Sequence, residues 1–118
     1  MKNQDIQKRT FDFAIRIVKL CQHLDERPGV GRTLGRQLLR AGTSIGANVE
    51  EAQAGQSRAD FISKYAIALK EARETVFWLR LLAATEILPA AKLSDLQVEA
   101  EELTRIIGAI IVSAKSSK

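Results

Sequence analysis

One spacing limits this chain more than any other: Leu34, Leu38, Ala41, Ile45, Asn48 and Ala52 recur at intervals of four, three, four, three and four residues. They run straight through "AGTSIGANVEEAQAGQSRADF", a stretch that otherwise resembles a glycine-rich loop. Apolar residues at that period share one side of a helix. The glycines therefore belong to a helix and not to a loop.

Three more seams of the same kind flank it. Ile6, Phe13, Ile17, Leu20 and Leu24 predict a first helix, ended by the proline and two glycines of "DERPGVGR". Ser57 with Asp60 three residues on predicts a capped start for a third helix, carried by Ile62, Tyr65, Leu69, Ala72, Val76, Leu79 and Ala83. Leu93, Leu96, Ala100, Leu103, Ile107, Ile110 and Ala114 predict a fourth, begun near Ser94 with Gln97 as its capping partner. Four amphipathic helices with short breaks predict an all-α, up-down-up-down antiparallel bundle with left-handed, coiled-coil-like packing over residues 1–118. Only "AKSSK" at the end is expected to fray.

The remaining composition narrows chemistry more than it assigns any. Cys21 and His23 are single, so a disulfide within the chain and a Cys/His zinc site are both excluded, and a reducing cytoplasm is the expected compartment. The longest uncharged runs, such as Ile106 to Ala114, have nine residues. A bilayer needs roughly 20. No membrane partner is expected, and "MKNQDIQKRT" has no apolar signal core. Residue 20, three before His23, is leucine, so the Glu-x-x-His pairs of di-iron bundles are missing. Glu50, Glu51, Glu71 and Glu74 stand without a histidine, and salt bridges are the ordinary use of such acids. Neither catalysis, a cofactor nor a metal is expected.

Gly35, Gly42 and Gly46 fall within about 40° of one another on a helical projection, beside the seam. Three helix-interior glycines cost roughly 3 kcal/mol relative to alanine. Close helix–helix approach, with backbone lying where a side chain would clash, accounts for that cost. A phosphate loop does not, because no Walker spacing follows and no strand precedes. Ser44, Asn48 and Glu51 flank the seam, with Asn48 in core register. Together with Lys64 and Glu71 they suggest a polar layer that sets register.

Phe11, Ile15 and Val18 on the first helix, and Ile67, Trp78, Leu81 and Leu82 on the third, form apolar stripes opposite the seams. A single small core cannot bury both sides, so these residues are the expected interface of a homo-oligomer. Net charge is +4, from 18 basic and 14 acidic side chains. Arg32, Arg36 and Arg40 at i, i+4 and i+8 align on one face away from the seam, and Lys8, Arg9, Arg16 and Lys19 add to the field. Such a row is either a phosphate-binding surface for RNA or DNA or simply a solvated face.

Ser44, Ile45, Asn48, Glu51, Ser57, Asp60, Phe61, Lys64, Ala68, Glu71, Glu74 and Trp78 form a pattern of their own. In them the stretch Ser44 to Leu82 resembles the four helix bundle proteins related to the 23S ribosomal RNA intervening sequence protein. Many members read Asn-Ile-Ala-Glu-Gly where this chain has Asn48, Val49, Glu50, Glu51 and Ala52, which places it in a different subgroup. The resemblance implies an antiparallel bundle assembled as a ring, typically a homopentamer. It also implies kinship with the accessory variability protein of diversity-generating retroelements, which contacts nucleic acid and a reverse transcriptase. Two functions follow as expectations: a nucleic-acid-binding accessory or adaptor protein, and a protein-interaction scaffold for which nucleic acid is incidental.

Overall fold

The computed structural model describes residues 3–116, and among them it holds four helices and no strand. These are α1 (Asn3–Leu24), α2 (Val30–Gln53), α3 (Arg58–Ala84) and α4 (Ala90–Ser116). Each helix packs along its sequence neighbours, α1 and α4 touch only lightly, and α1 and α3 lie diagonally across the bundle. The result is an antiparallel rod with extents of 50 × 21 × 19 Å.

The core is a column of apolar side chains from all four helices, centred on Ile6, Phe13, Ile17, Leu38, Ile45, Leu79, Leu93, Leu103 and Ile107. Each such side chain contributes about 1.5–3 kcal/mol on leaving water. Tyr65 joins them without an orphaned hydroxyl, because Gln53 Nε2 donates to its oxygen at 3.2 Å and Phe61 stacks on its ring. Thr10 is fully buried and bonds back to the Ile6 carbonyl at 2.8 Å, so its hydroxyl carries no desolvation debt.

The glycine stripe is a helix contact, as the close-approach reading requires. A Cβ on Gly42 would lie 2.9 Å from two carbons of Ile17, one on Gly46 3.2 Å from the Thr10 carbonyl oxygen, and one on Gly35 3.1 Å from Leu24. The pairing Thr10–Gly46, Ile17–Gly42, Leu24–Gly35 also runs α1 antiparallel to α2.

Helix boundaries and one register differ from the expectations. α2 begins at Val30 after Gly29, whose φ of 133° suits only glycine, so Gly31 lies inside the helix and does not stop one. Val49, not Asn48, enters the core, and Asn48 is half-buried. α3 starts where the capping pattern placed it, with the Asp60 amide donating to Ser57 Oγ at 3.1 Å. α4 begins at Ala90, not Ser94. Pro89 has no N–H to continue a preceding turn, and Ser94 Oγ bonds within the helix to Ala91 O at 3.4 Å. Of the stretch expected to fray, Ala114–Ser116 are helical, while residues 117–118 lie outside the described residues.

Candidate nucleic-acid interface

The arginine row of α2 is not a free basic face, because each member meets an acid. Arg32 donates from Nε and Nη2 to the Asp25 carbonyl oxygen at 3.1 and 2.8 Å, closing the last turn of α1. The same Nε lies 3.4 Å from the Asp25 carboxylate. Arg36 reaches that carboxylate only at 3.5 Å and keeps 66% of its side chain exposed. Arg40 forks between two acids of α3, Glu71 at 3.1 Å and Glu74. Trp78 Nε1 donates to the same Glu74 carboxylate at 2.9 Å. Glu71 is buried, so its carboxylate depends on that guanidinium.

The polar layer is likewise a set of α2–α3 bridges. Lys64 pairs with Glu51 at 2.6 Å, and this partner holds the Lys64 ammonium pKa above its usual value. Lys64 and Glu71 are ends of two separate bridges and not of one network. Ser44 and Asn48 bond back into their own helix, Ser44 Oγ to Arg40 O at 2.6 Å and Asn48 Nδ2 to Ser44 O at 2.8 Å.

On α1, Lys8 pairs with Asp12 at 2.8 Å. Arg9 crosses to α4, donating to the two carboxylate oxygens of Glu99 at 3.1 and 2.7 Å. The bond to Glu99 raises the Arg9 pKa. Arg16 and Lys19 differ from these. With Lys92 of α4 they line a cleft of about 460 Å³ between α1 and α4, over a floor of Leu20 and Leu96 and beside His23 and Asp95. None of the three cations has an acid within ion-pair distance among the described residues. With three cations and the single carboxylate of Asp95 in its lining, the cleft carries a net positive charge, which suits an anionic ligand. Lys92 was not singled out from the sequence. The signal lay in the topology, since an antiparallel bundle places the start of α4 beside the end of α1.

The two apolar stripes also take a different arrangement. Phe11 is 62% exposed, and Ile15, Val18 and Leu39 of α2 continue the same surface. On α3, Ile67 and Phe77 are exposed, with Trp78 and Leu81 half-buried beside them. Leu82 is a correction: it is fully buried in the chain's own core. α3 packs on both α2 and α4 and so turns a broader arc inward than a single seam. Because α1 and α3 are diagonal, their stripes face apart and form two surfaces, not one.

Among the described residues no group of three or more His, Cys, Asp or Glu side chains is arranged to hold a metal ion, and no helix is long and apolar enough to cross a membrane.

The four helices define the class of antiparallel four-helix bundles. The chain belongs to the 23S rRNA-intervening sequence protein family, whose model matches residues 2–109. It is similar to the crystal structure of a protein of unknown function from the S23 ribosomal protein family of Bacteroides thetaiotaomicron. The two share 42% identity and superpose with a TM-score of 0.83, over 90% of this chain and 97% of the other. No curated protein matches the chain.

Proposed function

We propose that this protein is a non-enzymatic nucleic-acid-binding accessory or adaptor protein that holds phosphate groups of RNA or DNA in the α1–α4 cleft. The observation that carries this reading is the contrast in ion pairing: Arg16, Lys19 and Lys92 line one cleft without an ion pair, Asp95 being the one acid in its lining, whereas Arg32 and Arg40 are engaged with acids. The family's association by name with ribosomal RNA supports the ligand class. Cation contacts to phosphates carry no sequence information, so the binding is sequence-independent and salt-sensitive.

The same reading includes self-association. Two apolar stripes on diagonal helices suit a head-to-tail contact between copies, and such contacts form a ring when the rotation between copies closes. A pentamer is the ring the resemblance implies, and it would repeat the cleft around its circumference. A reverse transcriptase or another protein is the partner to which such an adaptor would deliver nucleic acid.

The test is a comparison of two triple variants by fluorescence anisotropy on unrelated RNA and DNA. Arg16→Gln with Lys19→Gln and Lys92→Gln should weaken all sequences uniformly and reduce the slope of log affinity against log salt by about 2 to 3. Arg32→Gln with Arg36→Gln and Arg40→Gln should leave the slope nearly intact. Absence of binding at about 50 mM salt would instead favour the protein-interaction scaffold, which the exposed Phe11 and Phe77 surfaces support.

A further inference from the structure

On the opposite flank of α1 from the basic cleft, α1 and α2 leave a small cup between them. Its interior is Val18, Cys21, Gly35 and Leu39, and its volume is about 240 Å³. It exists because the Cys21 side chain is short and its thiol turns inward to donate to the Gly35 carbonyl at 3.2 Å. Ligand pockets for cofactor-sized molecules run to about 300–1,000 Å³. The cup therefore suits one apolar side chain whose parent molecule lies outside it.

The rim supplies the second element. Asp25, Arg32 and Arg36 stand around the mouth with the Gln22 amide. Arg32 is held by two hydrogen bonds to the Asp25 carbonyl, with the carboxylate 3.4 Å from its Nε. Arg36 has a single long contact at 3.5 Å and most of its fork open to solvent. Two guanidiniums thus share the one Asp25 carboxylate, which leaves one net positive charge at the rim, and Arg36 is the more exposed of the two.

We propose that this cup binds the C-terminal residue of a partner polypeptide ending in leucine or a similar apolar side chain, with its terminal carboxylate on Arg36. A chain terminus is the peptide position that carries an apolar side chain and a carboxylate on the same residue. That is what one apolar cup with one open guanidinium on its rim recognises. An internal acidic residue would need a cation further from the cup. The site shares no residue with the α1–α4 cleft, but Val18 and Leu39 belong to the α1 apolar surface described above, so the cup takes a partner only where a neighbouring copy leaves Val18 uncovered.

The experiment uses the full chain and an N-terminally fluorescein-labelled octapeptide ending in two leucines, prepared with a free or an amidated C-terminus. Fluorescence anisotropy should show the free acid binding at least about tenfold more tightly than the amide, the usual worth of a charge-assisted hydrogen bond. Arg36→Gln should abolish that preference while leaving the amide's affinity unchanged. Leu39→Asp, at a half-exposed position, should remove binding of both peptides, with helical circular dichroism confirming that each variant is folded. Equal affinity of acid and amide for the parent protein would overturn the proposal, as would a preference that survives Arg36→Gln. Absence of saturable binding would overturn it too, including the case in which a second copy seated over Val18 closes the cup.

Discussion

Along its α2 side, α1 lies against Gly35, Gly42 and Gly46 so closely that a single added carbon meets its side chains or backbone. Along its α4 side the same helix stands off, bridged by Arg9 and Glu99 and otherwise lining a cleft with unpaired cations. The difference shows how a small bundle divides its work. Close packing on one flank fixes the position of α1, which leaves the other flank free to carry charge that packing could not tolerate.

The largest effect is expected where the tight seam is broken. Gly42→Leu forces a branched side chain against Ile17, whose own β-branch is stiff, and should cost about 3 kcal/mol or more despite the gain in helix propensity. Calorimetry reads it directly, and an unchanged melting temperature would show that α1 can retreat. Cys21 sharpens the same point chemically. Buried at 7% exposure between α1 and α2, its thiol is pushed up to about 11 by desolvation. The folded value lies above the unfolded one, so this contribution is intact below about pH 9 and is lost as pH rises toward about 11. Stability should fall by about 2 kcal/mol across that window, and a Cys21→Ala variant should lack that part of the decline.

On the loose side, Arg9→Ala removes a two-pronged, partly buried bridge and should cost about 1 kcal/mol, reduced by salt. A cost as large as that of Gly42→Leu would mean that the two seams are not unequal after all. The smallest effect is expected at a glycine outside either seam. A Cβ on Gly108 of α4 meets nothing within 4 Å, so Gly108→Ala should stabilise by up to about 1 kcal/mol. Alanine at Gly42 should do the reverse, and the pair of melting curves separates a glycine kept for contact from one that is not.

Much of this architecture was legible in the chain. Ser57 and Asp60 mark the start of α3 because a cap is a local hydrogen bond. The glycines of α2 announced a close contact because their cost as helix residues needs an offset. Asn48 shows where the reading slipped. A strict alternation of four and three follows a period of 3.5, whereas a straight helix turns every 3.6 residues, so the predicted seam drifts by about 20° per heptad. By the sixth turn of α2 the core position had moved from Asn48 to Val49. Leu82 was misplaced for a related reason, since a helix packed between two neighbours buries an arc and not a line.

The basic residues mark the boundary of what could be read. Spacing put Arg32, Arg36 and Arg40 on one face of α2, and the structure keeps them there. Whether a cation is free depends on which acids arrive beside it. Glu71 and Glu74 are over thirty positions from Arg40, and Glu99 is ninety from Arg9. By itself the sequence determined the four helices, the glycine contact and the cap, because periodicity, propensity and local hydrogen bonds act over a few residues. Only the tertiary structure decided which cations were neutralised and that Arg16, Lys19 and Lys92 share one cleft. Coulomb interactions depend on distance through space, and only packing brings α1 and α4 side by side.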